Sequence, residues 1–292
     1  MKTDIHLHLT WKQMPANDMG TISSAENMLS HLKEMDISKG IVMSSGEGNN
    51  PLMPICDNRE CRTIAEQFSG IYYWMCNVDP VEPATVYERL AQCKARGAVG
   101  IGEFMVNQRI DSPFIQSVFS AAEKLSLPIL FHMSPQEGYQ YGIVDEPGLP
   151  LLEESLKKYP NLVFIGHSQP FWHEITKNPG DTLEERMAWG TGDIIPGGRV
   201  PYLFEHYPNL HGDLSANSGG CAIMRDEDFG LAFLKKYNRR LMFGTDMANT
   251  DMTFPLGAWL DEKYKKGKLD RETYENICFR NADRLLNLDK AF

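Results

Sequence analysis

The chain has 292 residues, of which 42% are hydrophobic and 23% charged, and its formal net charge is -10. This composition, with a mean hydropathy of -0.36, is that of an ordinary globular protein and excludes a disordered chain. An acidic chain gains nothing from counterion release, so general binding to nucleic acid or to an anionic membrane surface is disfavoured.

The length suits either two small domains or one α/β barrel, because such barrels reach this size as a single unit. The sequence shows neither the composition shift of a linker nor an internal repeat. We therefore predict a single domain that spans residues 1–292.

Short apolar runs that end in polar or glycine-containing segments recur along the chain and predict eight β-strands. In chain order the predicted strands are Thr3–His8, Gly40–Met43, Ile71–Asn77, Ala98–Glu103, Pro128–His132, Leu162–His167, Leu210–Asp213 and Arg240–Thr245. Several are continuously apolar, which is typical of parallel strands buried on both faces. Amphipathic patterns predict intervening helices that include Thr85–Arg96, Ser112–Leu125, Leu149–Tyr159 and Asp226–Tyr237. This alternation predicts an α/β fold, a (β/α)8 TIM barrel.

The longest connection runs from residue 168 to residue 209 and contains a Pro196-Gly197-Gly198 turn. A connection of this length favours a segment that covers the substrate on the catalytic face. Aromatic side chains on this segment and on the loop after strand five are candidates for the wall of an apolar pocket. They are Tyr139, Tyr141, Phe171, Trp172 and Trp189.

Histidines and carboxylates stand at the ends of the predicted strands. His6 and His8 flank Leu7, and the two-residue period of a strand directs both side chains to the same side. The strands that follow end in further candidate ligands, namely Glu103, His132, His167 and Asp246. All six are expected at the rim where barrel enzymes place their chemistry.

A lone histidine at a strand end is more often a hydrogen-bonded structural residue than a ligand. Six such groups together would be costly to bury without a divalent cation. Nitrogen and oxygen donors without cysteine suit zinc first, and manganese, iron or nickel are also open. We therefore predict a metal site formed by His6, His8, Glu103, His132, His167 and Asp246.

These motifs together resemble the amidohydrolase superfamily, and within it the amidohydrolase-related branch of small single-domain barrels. The matching segments are Asp4–His8, Gly102-Glu103, Leu127–His132, Tyr159–Leu162, Gly166-His167, Phe243–Asp246 and Asn281–Leu286. The resemblance implies that His6, His8 and Asp246 bind the more buried metal. It implies that His132 and His167 bind a second metal or, in one-metal members, ligate the first metal and polarise the substrate.

The sequence departs from the common two-metal pattern at strand four, where a carbamylated lysine often bridges the metals. Glu103 stands there instead. A glutamate also bridges in branches such as the TatD-type deoxyribonucleases, and it can equally hold the tautomer of a ligating histidine. The sequence is therefore compatible with either one or two bound metal ions.

The predicted function is metal-dependent hydrolysis, in which a metal-activated water attacks a C–N or C–O bond of a small carbonyl substrate such as a cyclic amide or a lactone. Asp246 is predicted to accept the water proton, and His167 to polarise the carbonyl. The alternatives are a decarboxylase of an aromatic or unsaturated acid and a TatD-like phosphodiesterase, which Glu103 supports and the acidic balance opposes. Nucleophile-elbow, P-loop and dinucleotide motifs are absent.

Three further predictions concern residues near the rim. Asp213, at the end of strand seven, is expected to fix the rim loops by hydrogen bonding and not to ligate. Arg225 is a candidate for contact with a substrate carboxylate. The remaining histidines are expected to be surface or structural residues, namely His31, His173, His206 and His211.

The six cysteines include no C-x-x-C pair, which excludes zinc-ribbon and thioredoxin-like motifs. Neither a signal peptide nor a membrane-spanning segment is expected from the sequence. A cytoplasmic protein with reduced thiols is therefore predicted. Its predicted partner is a small-molecule substrate, with no nucleic acid and no membrane, and a homo-oligomer remains open.

Overall fold

A computed structural model describes residues 1–17, 20–48 and 56–288. Eight strands form its centre, and we number them in chain order. They are β1 (Lys2–Leu7), β2 (Ile37–Met43), β3 (Tyr72–Met75), β4 (Ile101–Phe104), β5 (Ile129–Phe131), β6 (Phe164–Gly166), β7 (Leu210–Asp213) and β8 (Leu241–Met242). Each strand overlaps one of the eight predicted runs.

The eight strands close into a barrel. Parallel pairing gives one sheet in the order β1-β2-β3 and another in the order β8-β7-β6-β5-β4. At one seam the backbone N–H of Cys76 donates to the carbonyl of Gly100 over 2.9 Å. At the other seam the N–H of Ile5 donates to Phe243 O over 3.2 Å, and the N–H of Asp246 donates to His6 O over 2.8 Å. The predicted TIM barrel is confirmed.

The helices occupy the connections between strands. Those before β6 are α1 (Ala25–Glu34), α2 (Asn58–Gln67), α3 (Val86–Ala95), α4 (Pro113–Leu125) and α5 (Pro150–Lys158). Between β6 and β8 lie α6 (Gln169–His173), α7 (Leu183–Met187), α8 (Arg199–His206), α9 (Ala216–Met224) and α10 (Glu227–Lys236). The chain ends with α11 (Leu256–Lys265), α12 (Arg271–Glu275), a π-helical turn (Asn276–Arg280) and α13 (Asn281–Leu286).

The four helices predicted from amphipathic patterns are all present, and each is slightly shorter than predicted. The reason is that the predictions included cap residues. The side chain of Ser112 accepts from Ile115 N ahead of α4, and that of Asp226 accepts from Phe229 N ahead of α10. Among the described residues, none of the helices is both long and apolar enough to cross a membrane.

The interior of the barrel is filled by apolar side chains and is not a pore. Its buried members include Ile5, Ile41, Met43, Tyr73, Met75, Leu130, Ile165 and Met242, with Ala282, Leu286 and Leu288 packed against them. Gly102 leaves room for two of them, because a Cβ there would lie 3.1 Å from the sulfur atoms of Met43 and Met75. A second and larger core fills the space between strands and helices. The filled interior leaves the mouth of the barrel as the place for polar side chains.

Candidate metal centre

A bulge in β1 brings His6 and His8 to the mouth of the barrel. Asp4 pairs with Gly40 and Leu7 pairs with Val42, so that three residue steps in β1 oppose two in β2. Ile5 belongs to the barrel interior. The two histidines point in the same direction, as their spacing predicts, and their Nε2 atoms are 3.2 Å apart.

Four donor atoms from β1, β4 and the end of β8 surround one point. Glu103 Oε2 lies 3.5 Å from His6 Nε2 and 3.4 Å from His8 Nε2. Asp246 Oδ1 lies 3.4 Å from His6 Nε2 and 3.1 Å from His8 Nε2. Ligand atoms about 2.0–2.1 Å from a tetrahedral zinc ion lie about 3.3–3.4 Å from one another. The five separations given above are close to those of ligands on one small divalent cation.

The remaining two candidates adjoin the same carboxylates. His132 Nδ1 is 2.6 Å from Glu103 Oε1, which is a hydrogen bond and is shorter than the separation of two ligands on one ion. His167 Nε2 lies 3.6 Å from both Glu103 Oε1 and Asp246 Oδ2. Glu103 thus turns one oxygen toward the β1 histidines and the other toward His132 and His167. The predicted bridging role and the predicted histidine-holding role both match this geometry.

Asp213 holds two of the candidate ligands from behind. Its Oδ2 is 2.7 Å from His6 Nδ1 and 3.1 Å from His167 Nδ1, and the hydroxyl of Ser215 donates to the same oxygen over 2.7 Å. A histidine that ligates through Nε2 carries its proton on Nδ1, so the Asp213 carboxylate selects that tautomer and fixes both rings. Asp213 is fully buried. Its Oδ1 also accepts from the backbone N–H of Ser215 over 2.9 Å, so the predicted hydrogen bonding to the rim loop is present together with the contacts to the two histidines.

Asp4 fixes the backbone under the site, a role that the sequence analysis did not assign. Its carboxylate accepts from the backbone N–H groups of His6 and Thr245 over 3.0 and 2.9 Å, and from the Thr245 hydroxyl. It therefore joins the end of β1 to the segment that carries Asp246. The available signal was its position two residues before His6.

The charges of the cluster favour a cation. Burial alone would raise the pKa of Glu103, but the charges of His132 and His6 hold it well below its usual value. Burial would lower the pKa of His8, but hydrogen bonds to Asp246 and Glu103 raise it to about 9. Glu103 thus stays ionised and positive charge is drawn onto His8, whereas burial lowers the pKa of His132. A divalent cation can supply that charge in place of protons.

Two of the five aromatic residues predicted to wall a pocket belong to the core instead. Phe171 and Trp172 are buried, and the Phe171 ring fills the space beside Gly166, where a Cβ would lie 2.3 Å from Phe171 Cζ. They form part of α6, whose apolar face packs on the barrel. The ring of Tyr141 does adjoin the site, with its centroid 4.5 Å from that of His132. Tyr139 and Trp189 are exposed.

Arg225 is engaged with the long connection: its Nη1 donates to Thr191 O over 3.0 Å. The other four histidines make no contact with the cluster. His31, His173 and His206 lie within hydrogen-bonding distance of backbone carbonyls of Met252, Gly180 and Tyr202 respectively. Burial lowers the pKa of His211 to about 4.

Comparison with known proteins supports this architecture. The amidohydrolase family model matches residues 3–288. The chain belongs to the amidohydrolase family. Amidohydrolases of this type are metal-dependent enzymes, and the donor set described above suits such chemistry. A sequence comparison with curated proteins found no match.

Solved structures resemble this amidohydrolase along its whole length. A TIM-barrel protein from Bordetella bronchiseptica has a TM-score of 0.63 at 13% identity, with 98% of each chain covered. A probable 2-pyrone-4,6-dicarboxylic acid hydrolase from Acinetobacter baumannii has a TM-score of 0.59 at 14% identity, covering 98% of this chain and 99% of the other. A dihydroxybenzoic acid decarboxylase from a Polaromonas species, with bound manganese, has a TM-score of 0.58 at 15% identity, covering 99% and 98%. At sequence identities of 13–15%, similarity to these structures establishes the shared fold alone.

Proposed function

We propose that this amidohydrolase is a metal-dependent hydrolase that cleaves a C–N or C–O bond of a small carbonyl substrate, such as a cyclic amide or a lactone. The observation that carries the proposal is the set of four donors from His6, His8, Glu103 and Asp246, spaced 3.1–3.5 Å apart in the pairs described above. When bound, zinc or a similar divalent ion would lower the pKa of a water and polarise the substrate carbonyl.

Asp246 is the member of the cluster best placed to move a proton. Its side chain is 25% exposed, whereas those of His6 and Glu103 are 0% and 3% exposed. Burial would raise the pKa of Asp246, but the charges of His6 and His8 hold it below its usual value, so the group is a carboxylate at neutral pH. A carboxylate that faces both the donor set and the mouth can accept a proton from water and pass it to a leaving group.

His167 and Tyr141 complete the proposed substrate side of the site. Asp213 and the Ser215 hydroxyl both lie 3.1 Å from His167 Nδ1, so the ring is fixed and its Nε2 is directed at the carboxylates. This fixed ring is the proposed group against which a substrate oxygen is polarised. The ring of Tyr141, beside His132, offers a flat apolar surface to a planar substrate.

A second candidate is decarboxylation of an aromatic or unsaturated acid. It is favoured by the resemblance to the manganese-bound decarboxylase, whose TM-score of 0.58 is close to the 0.59 of the pyrone hydrolase. In this reaction the acid would be held at the same donor set and no water would attack it. The Asp246 carboxylate would first take up a proton from solvent and then pass it to the carbon that loses carbon dioxide.

Turnover in water labelled with heavy oxygen separates the two reactions. Metal-loaded protein is given a panel of lactones, cyclic amides and aromatic acids, and the products are analysed by mass spectrometry. We expect one labelled oxygen in the organic product of a lactone or cyclic amide. An unlabelled product that has lost carbon dioxide would overturn the hydrolase and favour the lyase.

The variant Asp246→Asn is compared with Asp251→Asn, which changes an exposed aspartate of the same loop. Loss of turnover in the first and retention in the second is expected. Equal activity in both variants would remove Asp246 from the mechanism.

A further inference from the structure

A basic groove lies on the outside of the barrel, between α2 and α3 and away from the candidate metal centre. It is a cavity of about 380 Å³ whose lining includes four arginines, Trp74 and one cysteine, Cys93. Arg59 and Arg62 belong to α2, Arg89 to α3, and Arg96 follows α3. Four arginines in one cavity are unexpected in a chain whose net charge is -10.

The carboxylates near the groove only partly neutralise it. Arg89 Nη1 lies 2.8 Å from both carboxylate oxygens of Glu47. Arg62 Nε is 3.4 Å from Glu66 but is buried without a hydrogen-bond partner. Within the described parts of the chain, neither Arg59 nor Arg96 forms an ion pair. The cavity therefore carries excess positive charge, which attracts small anions.

Cys93 places a nucleophile inside this field. It lies in the last turn of α3 and is partly exposed, and the neighbouring Cys76 thiol is buried. Hydrogen bonding with Cys76 lowers the pKa of Cys93, opposed by burial and by the charge of Glu47 and aided by the charge of Arg96. The negative end of a helix disfavours a thiolate, so the thiolate depends on Cys76 and Arg96. In contrast, burial raises the pKa of Cys221 and Cys278.

We propose that Cys93 is a modification site, at which a small anionic disulfide of the glutathione type docks on the arginines and exchanges with the thiol. The Cys93 thiol first loses its proton to solvent. The thiolate then attacks one sulfur of the disulfide, the disulfide's S–S bond breaks, and a new S–S bond joins Cys93 to one half of the reagent. The other half leaves as a thiolate that takes up a proton. The disulfide is the oxidant, so no further co-reactant is required.

The charge selectivity of the thiol tests the docking step. Metal-loaded protein is treated with dithiobis-nitrobenzoate, which is a dianion, and with dithiodipyridine, which is neutral, and the modified cysteine is identified by peptide mapping. We expect Cys93 to react first. Relative to a free cysteine derivative, the anionic reagent should be favoured by about tenfold at low salt, and this preference should disappear in about 1 M salt.

Arginine variants distinguish electrostatic attraction of the anionic reagent from a structural effect of the arginine side chain. Arg59→Gln removes a positive charge without removing a contact to Cys93 or Cys76, and should slow the anionic reagent by about threefold while leaving the neutral reagent unchanged. Arg239→Gln, at an exposed arginine paired with Glu272, is the matched control and should change neither rate. With glutathione disulfide, intact-mass analysis should show one adduct that Cys93→Ser abolishes and Cys221→Ser retains.

Three results would overturn the proposal. One is preferential reaction of another cysteine, such as Cys221. Another is an anionic-to-neutral rate ratio at Cys93 that equals that of the free thiol at all salt concentrations. The third is equal slowing of both reagents by Arg59→Gln, which would indicate a structural effect of the arginine. None of these outcomes depends on the hydrolase proposal, because the readout is thiol modification.

Discussion

Replacement of Asp213 by asparagine removes the group that fixes two of the candidate ligands without changing the shape of the side chain. The carboxylate oxygen Oδ2 lies 2.7 Å from His6 Nδ1 and 3.1 Å from His167 Nδ1. An asparagine can turn its carbonyl toward these rings but loses the negative charge, and its NH₂ group cannot accept from an imidazole N–H. We therefore expect weaker metal binding although no proposed ligand has been removed.

The size of the effect follows from the contacts that are lost. Carboxylate partners of ligating histidines typically contribute about 10- to 100-fold in metal affinity. This corresponds to about 1.4–2.8 kcal/mol of binding free energy. Burial alone would raise the pKa of Asp213, but hydrogen bonds from His167 and His6 hold it below its usual value, so the lost charge is present at all pH values of interest. We expect Asp213→Asn to weaken zinc binding by a factor within this range.

Metal affinity is measured by competition with a chelator of known affinity, on protein whose folding is checked by thermal unfolding. Asp283→Asn is the matched control, since Asp283 accepts from Thr3 and pairs with Lys39 at the opposite end of the barrel. The control should lower the unfolding midpoint and leave metal affinity unchanged. Unchanged affinity in folded Asp213→Asn would refute the argument that this carboxylate orients the ligands.

Three further predictions test other parts of the account. Glu103→Gln should reduce the number of metal ions per chain in elemental analysis, whereas a full complement would show that Glu103 only holds His132. Asp246→Asn should lower kcat by about 10²–10⁴-fold even where metal is retained, with rate and metal content measured on the same preparation. A hydrogen bond from Tyr207, opposed by burial and aided by Lys157, lowers the pKa of Glu153 to about 2. The contribution of this carboxylate to the free energy of unfolding should therefore be complete above the ordinary pKa of 4.5 and should disappear as pH falls through about 2. In denaturant unfolding, Glu153→Gln should be less stable than wild type at neutral pH and equally stable at the acid limit.

The order of the strands and helices could be predicted from the sequence, because buried parallel strands appear as continuous apolar runs. The first and last residues of each strand could not be predicted in the same way. β2 begins at Ile37, three residues before the predicted start at Gly40, because Ser38 and Lys39 interrupt the apolar pattern. Lys39 is accommodated by its ion pair with Asp283 at the base of the barrel. That partner is distant in sequence, so local pattern alone does not reveal it.

The candidate site, too, could be predicted from the sequence only in part. Strand-end positions predicted that the candidate ligands would lie at one rim, because parallel strands bring their carboxyl ends together. The structure places His6 and His8 within 3.5 Å of both Glu103 and Asp246. The contacts of Asp213 with two imidazoles depend on the register between β7 and its neighbours, which the sequence does not state. The burial of Trp172 was also missed, because a long connection with aromatic residues has the same composition whether it lines a pocket or packs as a helix on the barrel.

Anomalous diffraction from crystals of the zinc-loaded protein tests the central claim most directly. The account predicts an anomalous peak at the mouth of the barrel, about 2.0–2.2 Å from His6 Nε2, His8 Nε2 and Asp246 Oδ1. The peak should be lost in the folded double variant His6→Ala/His8→Ala. A peak located elsewhere, or full occupancy of this position in the double variant, would contradict the assignment of the metal centre.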